Sequence, residues 1–374
     1  MKNCLIVLHE DFSRLDKGYQ KIAKERIDLL SLKYDIDIII PYYSKKPNKI
    51  LNKKNINYYF YKKFFFISFW SFIYKFFSFK PLQVALYFDL SFKSFIKKKS
   101  VSKNYDLKYF FLYRGFENVY LKDEDFVILD LIDPVVFSLK NKGKKSFLNF
   151  FYKLEAILCN AYEKKISKHI NKLIIISSRD KKLIDNFKNI FIFPHLHNQI
   201  NLKNSAKKKG NICFSGNLAY SENLKYISWL IEDIVSNVNP KQNFNIIGAN
   251  PKMSYITKLN YPHLKITKNP KNIINEISKY KISLNGKSLY GSNTKIFDAF
   301  SANILPIITK EMKTDNYFKD YPLIAESNIH YCSLIMKLIN QKKFYEKKIK
   351  EVNKFKKKFA KNNLKKIFFD IVNN

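Results

Sequence analysis

Short apolar runs alternate with amphipathic stretches along the first half of the chain. Helical spacing is clearest in residues 18–33 and 146–169, which separate several of these runs. The runs read CLIVL, IDIIIPYY, INYYFY, YDLKYFFLY, FVILDLID, KLIIIS and NIFIFP. Continuous apolar strands that alternate with helices are typical of a parallel sheet covered on both faces. The pattern predicts a doubly wound α/β domain.

A second series of the same kind follows a polar segment. Residues 200–210 are rich in lysine and asparagine without periodicity, which predicts a linker. After it come NICFSG, FNIIGANP, HLKIT, KISLNG, ILPIIT and YPLIAES, each followed by a helical or polar segment. We therefore expect two doubly wound, Rossmann-like domains of the α/β class, at residues 1–199 and 211–358, and a terminal helix at 359–374.

The loop before the helix at residue 295 carries the most specialised chemistry of the chain. It consists of small polar residues, Gly291, Ser292, Asn293 and Thr294. Free N–H groups at the start of a helix, together with the positive end of its dipole, favour an anion such as a diphosphate. Lys295 adds a positive charge. Asp298, one turn further on, can accept hydrogen bonds from sugar hydroxyls.

Glycines mark the same edge of the second domain. Gly216, Gly248 and Gly286 each follow a predicted strand. Simple turn chemistry accounts for Gly248 and Gly286. Gly216 is the stronger candidate, because Asn217 follows it in a position to open a helix toward a phosphate.

The chain is strongly basic. Its 374 residues include 68 Lys and Arg against 31 Asp and Glu, a formal charge of +37, and all but four of the basic residues are lysine. Two explanations stay open: a coding bias that also enriches Asn, Ile, Phe and Tyr, or a functional basic surface. The lysines are spread through both halves and no groove-reading motif accompanies them, so nucleic acid is not an expected partner.

The segment from Tyr58 to Lys80 is both aromatic and basic, and it has two interpretations. Its apolar stretches are too short to span a bilayer, but an interfacial helix with lysine flanks needs no such length. It is therefore either a peripheral contact to an anionic membrane or a pair of core helices packed on the sheet.

The four cysteines are scattered with no paired spacing, so neither a zinc site nor a disulfide framework is predicted. The apolar stretch at the amino terminus is shorter than a signal peptide requires and reads as a first buried strand. These features favour a cytoplasmic protein with no metal ion.

Three motifs in the second domain resemble the donor-binding domain of GT-B-fold glycosyltransferases, in particular the family 4-like enzymes of bacterial surface-polysaccharide assembly. They are FSGNLAYSENLKYISW, IIGANP and GSNTKIFDAF. In the last, Lys295 and Asp298 follow Gly291 with the spacing of the family pattern G-x3-K-x2-E-A. Together the motifs cover residues 211–309.

The resemblance implies two Rossmann-like domains facing across a cleft, with the last helix crossing back onto the first domain. A nucleotide-diphosphate sugar would be the donor substrate, and no cofactor or metal ion would be needed. Asp298 would hold the ribose, while residues 292–295 would bind the diphosphate and stabilise the leaving nucleotide, with Gly216 and Asn217 beside them. The acceptor would be a lipid-linked or saccharide chain in capsule, O-antigen or lipopolysaccharide assembly, at the inner face of the cytoplasmic membrane.

The stereochemical outcome of transfer is linked to a pair of acidic residues in the family, and this chain differs from the family at both positions. Retaining members often carry a Glu-x7-Glu pair, whereas here Asp298 stands second and Tyr290 stands eight residues earlier. We still expect retention, in which the leaving phosphate takes the acceptor proton. An inverting enzyme would need a protein base. The candidates lie at predicted strand ends, where caps and turns are also common: His9, Asp11, Asp130 and Asp133. Asp133 is our choice among them.

Gly18 and Arg114 are the remaining acceptor-side candidates. Arg114 follows a predicted strand, where it makes either an acceptor or phosphate contact or an ordinary surface ion pair. His195 and His197 lack a third metal ligand nearby and are assigned hinge or cleft-lining roles.

Two other functions compete with this interpretation. One is a GT-B-fold nucleotide-sugar epimerase, which converts the donor without an acceptor. The other is a basic protein that binds nucleic acid or anionic lipid on a sheet scaffold, with steeply salt-dependent binding.

Overall fold

Two parallel β-sheets organise the chain. The structure is a computed structural model that describes residues 1–13, 17–101, 103–141, 149–196, 210–239, 242–251, 261–286 and 294–373. It divides into two units. The first is Met1–Phe193 with Phe368–Asn374, and the second is Pro194–Ile367.

The first unit has a sheet of seven described strands, all paired in parallel, in the order β3-β2-β1-β4-β5-β6-β7. They are β1 Lys2–Val7, β2 Tyr34–Tyr42, β3 Ile56–Lys62, β4 Leu107–Phe111, β5 Val127–Ile132, β6 Lys172–Ile175 and β7 Ile190–Ile192. The helices between them are α1 Gly18–Leu30, α2 Phe65–Phe76, α3 Leu82–Ala85, α4 Leu90–Val101, α5 Val135–Lys140, α6 Asn149–Ile166 and α7 Ser178–Lys181. The five inner strands are almost wholly buried, as their apolar runs require, whereas the edge strands β3 and β7 are mostly half-buried.

The second unit has a parallel sheet of six described strands in the order β10-β9-β8-β11-β12-β13. They are β8 Gly210–Ser215, β9 Phe244–Gly248, β10 Leu264–Lys268, β11 Tyr280–Leu284, β12 Leu305–Thr309 and β13 Ile324–Ala325. Its described helices are α8 Ser221–Trp229, α9 Ser236–Val238, α10 Ile273–Ile277, α11 Thr294–Ser301, α12 Asn328–Asn340 and α13 Lys342–Lys356. A π-helical turn at Leu230–Val235 joins α8 to α9.

Each sheet reverses its strand order once, between β1 and β4 in the first unit and between β8 and β11 in the second. At such a switch point the loops at the carboxyl ends of neighbouring strands diverge and leave a crevice for a ligand. The prediction of two doubly wound α/β domains is confirmed.

The last helix, α14 Lys361–Asn373, ends among residues of the first unit. Phe368 packs on Phe193 with ring centroids 5.0 Å apart. Lys172 Nζ donates a hydrogen bond of 2.7 Å to the carbonyl of Ile371. The end of α14, from Phe368 onward, therefore contributes to the core of the unit in which the chain begins.

A buried ion pair joins α1 to the middle of the first sheet. Arg26 Nε donates to Asp130 Oδ2 at 3.1 Å, and both side chains are fully buried. Arg26 also donates to the Phe193 carbonyl at 2.9 Å, and the hydroxyl of Tyr109 donates to Asp130 at 2.9 Å. These contacts give Asp130 a structural position, so it is a poor candidate for the acceptor-side base.

Helix α2 contradicts one interpretation of the aromatic segment. Ser71 is the one buried residue of this helix, and most of its large apolar side chains are exposed. The interpretation of these aromatic residues as a helical core is therefore wrong. No helix in the described part of the chain is both long and apolar enough to cross a membrane.

Candidate functional site

The switch point of the second sheet brings two loops together. Gly216 and Asn217 follow β8, and Asn285 and Gly286 follow the neighbouring strand β11. Parallel strands present their carboxyl ends at one edge, so these loops open on the same side of the sheet. Helix α11 begins at Thr294, shortly after the second loop.

Backbone contact holds the β8 loop against the loop after β9. The amide of Gly216 donates to the Ile247 carbonyl at 3.0 Å, and the amide of Leu218 donates to Ala249 at 2.8 Å. A Cβ atom on Gly248 would lie 1.8 Å from the Gly216 carbonyl oxygen. Only glycine fits there, because backbone atoms cannot move aside as a flexible side chain can.

Gly216 also borders Lys295 and Asn223. A Cβ atom at Gly216 would meet Lys295 Cε at 3.0 Å and Asn223 Nδ2 at 2.9 Å. Asn223 Nδ2 donates to the Asn217 carbonyl at 2.7 Å, and Asn217 Oδ1 accepts from the Ala219 amide at 2.9 Å. The structure thus brings Gly216, Asn217 and Lys295 together, as the sequence predicts for one site.

The ammonium group of Lys295 lies in a partly apolar setting. It donates to Asn223 Oδ1 at 2.6 Å and lies 4.9 Å from the ring centroid of Phe214 and 5.5 Å from that of Tyr226. Burial lowers the pKa of Lys295 to about 8, and the nearby Asp298 carboxylate opposes this shift. A desolvated cation with few polar neighbours favours the binding of an anion. The anion replaces the favourable interactions with water that the ammonium loses on burial.

Asp298 lies on the same helix as Lys295, three residues later, and is half-buried. Thr294 is the first residue of that helix and is also half-buried. The predicted positions Gly291, Ser292 and Asn293 lie outside the described residues, so their diphosphate contacts stay a prediction.

A buried hydrogen-bond network supports the β11 side of the site. The fully buried Asn285 donates its amide to the Tyr331 hydroxyl at 2.9 Å, and its side-chain amide donates to Ser283 and Ile307 carbonyls at 3.3 Å each. The Tyr331 hydroxyl also lies 3.1 Å from the carbonyl of Ile307. This network fixes the end of β11 to α12 and β12.

Neither Asn285 nor Tyr331 is marked in the sequence as part of the site. A single asparagine after an apolar run reads as a turn, and a tyrosine in a helix 46 residues away has no visible link to it. Asn223 stands in the motif FSGNLAYSENLKYISW, so the sequence does point to it. Its hydrogen bond with Lys295, however, is visible only in the structure.

The first unit has its own polar cluster at the ends of β1 and β4. Glu10 accepts hydrogen bonds from Lys17 at 2.8 Å and from the hydroxyl of Tyr19. Gly18 is the first residue of α1, directly after Lys17. Arg114 Nε donates to Gln83 Oε1 at 3.3 Å, and its guanidinium lies 5.8 Å from the rings of both Tyr19 and Tyr87.

Arg114 makes no ion pair with any residue that the structure describes. A stacked guanidinium without a carboxylate partner keeps its charge available for a phosphate or carboxylate ligand. The expectation of an acceptor or phosphate contact thus has more support than that of an ordinary surface ion pair.

Asp133 follows β5 and is exposed at the protein surface. Desolvation by the surrounding protein atoms, and then the Asp180 carboxylate, raise the pKa of Asp133 to about 7, while the Arg114 guanidinium opposes the shift. The preceding residue, Ile132, has φ of 65°, and Leu112 before the Arg114 turn has φ of 56°. Positive φ is unfavourable for such residues, and strain of this kind concentrates at functional sites.

The histidine candidates occupy different settings. His9 is buried against Phe12 and Tyr87, and burial lowers its pKa well below the ordinary value, so the ring is neutral at physiological pH. His195 is buried and stacked on Phe297 of α11, with ring centroids 5.0 Å apart. His197 lies outside the described residues. Among the residues that are described, no group of three or more His, Cys, Asp or Glu has the geometry of a metal site.

No family model matches the chain, and no curated protein matches it in sequence. Solved structures match its fold. A sucrose-phosphate synthase from Thermosynechococcus elongatus aligns with 99% of this chain and 98% of its own, at a TM-score of 0.71 and 10% identity. WaaG, described as a glycosyltransferase involved in lipopolysaccharide biosynthesis, aligns with 99% of this chain and 100% of its own, at a TM-score of 0.66 and 11% identity.

A variant of TarM from S. aureus, in complex with fondaparinux, α-GlcNAc-glycerol and UDP, aligns over 100% of both chains at a TM-score of 0.70 and 10% identity. The two parallel-sheet α/β domains of this chain therefore have the fold of GT-B glycosyltransferases. Identities this low establish the fold and leave the activity to be argued from the site.

Proposed function

We propose that this protein is a glycosyltransferase that moves a sugar from a nucleotide-diphosphate sugar to a lipid-linked or saccharide acceptor. The observation that carries the proposal is the Lys295 ammonium at the switch point of the second sheet, hydrogen-bonded to one amide oxygen and close to two aromatic rings. The nearby Asp298 carboxylate offsets only part of the effect of burial on this cation, so an anionic ligand would stabilise its charged form further.

The donor binds through its diphosphate and its ribose. Lys295 contacts the diphosphate, and the start of α11 at Thr294 adds backbone N–H groups and the positive end of the helix dipole. We propose that Gly291, Ser292 and Asn293 also contact the diphosphate, together with Gly216 and Asn217 after β8. Asp298 accepts hydrogen bonds from the ribose hydroxyls.

Lys295 also accelerates the chemical step. As the bond between the anomeric carbon and the phosphate oxygen breaks, negative charge grows on the departing nucleoside diphosphate. An ammonium already placed beside that oxygen stabilises the transition state more than the ground state. Because Lys295 supplies the charge, we propose that transfer needs no metal ion and no cofactor.

The acceptor hydroxyl forms the new bond to the anomeric carbon and releases its proton. We propose a retaining reaction, in which the leaving phosphate oxygen takes that proton. Asp133 is the base available if inversion occurs, since its raised pKa of about 7 suits proton transfer near neutral pH. Gly18 and Arg114 are the proposed acceptor-side contacts.

The proposal also covers the biosynthetic process in which the protein acts and its location in the cell. The three motifs resemble family 4-like enzymes, and one structural neighbour is described as acting in lipopolysaccharide biosynthesis. We place the protein in capsule, O-antigen or lipopolysaccharide assembly, in the cytoplasm at the inner face of the membrane.

The test measures release of nucleoside diphosphate from a panel of UDP-, GDP-, CDP-, ADP- and dTDP-sugars, with and without a bacterial lipid and oligosaccharide extract as acceptor. We expect release from one donor, stimulated by the extract and absent in Lys295→Met. The matched control is Lys225→Met, since Lys225 lies exposed on α8, where it pairs with Glu222. Conversion of the donor sugar without acceptor would instead indicate an epimerase, and no reaction of any donor would contradict the proposal.

A further inference from the structure

Helix α2 presents its polar residues to the protein and its aromatic residues to solvent. Three polar side chains lie on the inner side: Ser68, Ser71 and Lys75. Ser68 Oγ donates to Asp89 at 2.5 Å, Ser71 Oγ accepts from the Leu90 amide at 3.1 Å, and Lys75 forms an ion pair with Glu117. The helix is thus attached through polar contacts, the reverse of an ordinary surface helix.

The outer side of the helix is aromatic. Phe66 is 76% exposed, Trp70 is 65% exposed, and Phe77, just beyond the helix, is 74% exposed. Single exposed apolar residues are normal, but a contiguous patch of large ones marks an interaction surface.

Helix α6 extends this patch. Glu155 accepts hydrogen bonds from the amides of Leu82 at 2.8 Å and Gln83 at 3.2 Å, which fixes α6 beside the start of α3. On α6, Phe150, Leu154 and Ile157 are exposed. We call the exposed apolar side chains of residues 64–86 and 150–157 the aromatic face.

Positive charges outnumber negative ones around the aromatic face. Residues 58–103 contain nine lysines and one acidic residue, Asp89, which is fully buried. Glu117 pairs with two of these lysines, Lys75 and Lys80. Lys62 is exposed at the end of β3, shortly before α2, and Lys153 is exposed among the apolar residues of α6. A partner that covers this surface must accept aromatic side chains in its interior and carry negative charge at its edge.

We propose that the aromatic face docks on an anionic membrane leaflet. The helix lies parallel to the surface, with its aromatic side chains at the boundary between headgroups and acyl chains and with lysines on the headgroups. At 12 residues α2 is too short to span the bilayer, which fits an interfacial position. This inference does not rest on the proposed activity, because vesicle binding needs no nucleotide sugar.

The test is co-sedimentation of the full chain with vesicles of phosphatidylcholine, with or without a third of phosphatidylglycerol. We expect binding to the anionic vesicles and a loss of about tenfold or more in the partition coefficient of Phe66→Glu/Trp70→Glu. The matched control is Ile329→Glu, since Ile329 is 83% exposed on α12 in the other unit. Circular dichroism confirms that each variant is folded.

Binding that is equal in the double variant, or absent in the parent, would overturn the proposal. Lys62→Ala and Lys153→Ala test the charges, and each should weaken binding to anionic vesicles by about fivefold. Unchanged binding in both would contradict the role of the charges.

Fluorescence locates the contact. The chain has two tryptophans, Trp70 and Trp229. In a Trp229→Phe variant, emission should shift to the blue on vesicle binding and be quenched by brominated lipids, whereas a Trp70→Phe variant should show neither effect. A dimer in sedimentation equilibrium that Phe66→Glu/Trp70→Glu converts to monomer, without vesicle binding by the parent, would assign the face to a second copy instead.

Discussion

The Lys295 ammonium donates a hydrogen bond of 2.6 Å to Asn223 Oδ1, although the two residues are 72 positions apart in sequence. This contact joins helix α11 to helix α8. Asn223 in turn donates to the Asn217 carbonyl at 2.7 Å. One asparagine therefore positions both the cation and the loop after β8, at the point where the strand order reverses.

Replacing Asn223 with leucine should weaken nucleotide binding without unfolding the protein. The ammonium loses its hydrogen-bond acceptor and the loop loses a donor, so we expect a loss of about tenfold in affinity and about 1–3 kcal/mol in unfolding free energy. Isothermal titration and urea denaturation measure the two effects. Asn237→Leu, at an exposed position on α9, is the control, and equal effects in both variants would contradict the role of Asn223.

Nucleotide affinity should fall as pH rises through about 8, the pKa of Lys295. The group is charged below this pH and neutral above it, while a diphosphate favours the charged form. Binding above about pH 8 must therefore take up a proton. Titration calorimetry in buffers of different ionisation enthalpy measures this uptake, which should be absent in Lys295→Met. Constant affinity from about pH 7 to about pH 9.5 would contradict the assignment.

The same shift makes a prediction about stability. The folded-state pKa of about 8 lies below the ordinary value of 10.5, so the unfolded chain binds more protons between these values. The contribution of Lys295 to stability should therefore rise with pH across that window. The unfolding free energy of the parent minus that of Lys295→Met should therefore increase with pH across this window. Below about pH 7 the difference should not depend on pH.

Gly248→Ala should destabilise the second unit strongly. The new Cβ would lie 1.8 Å from the Gly216 carbonyl oxygen, so one of the two loops must move. We expect a loss of about 3 kcal/mol or more in unfolding free energy. Gly115→Ala is the control, because its Cβ would meet His9 Cβ at an ordinary 3.4 Å. A tolerated Gly248→Ala would show that the two loops do not touch.

Asp130→Asn should lower the unfolding free energy by about 3–5 kcal/mol, because it removes the carboxylate charge that pairs with the buried Arg26 guanidinium. The exposed pair Lys122–Glu124 provides the comparison, and Glu124→Gln should change stability by less than about 0.5 kcal/mol. Urea denaturation measures both. A small effect of Asp130→Asn would return this residue to the acceptor-side candidates.

The sequence was sufficient to predict the fold and to single out Gly216, Asn217 and Lys295, which the structure brings close together. The apolar runs are recognisable because both faces of a parallel sheet are buried, and Gly216 and Lys295 are recognisable because their chemistry is local to strand ends and a helix start. Asn285 and Tyr331 could not be found this way, since their link is a tertiary hydrogen bond. Helix α2 was ambiguous because composition cannot show which side of an almost wholly apolar helix faces the protein.

The most direct test of the donor site is thermal unfolding of the parent and of Lys295→Met with each of UDP, GDP, CDP, ADP and dTDP. A nucleotide at about 100 times its dissociation constant stabilises the folded state by about 2.7 kcal/mol. We predict a rise in melting temperature of the parent with one base and no rise in Lys295→Met. An equal rise in both proteins, or none with any nucleotide, would contradict a donor site built on Lys295.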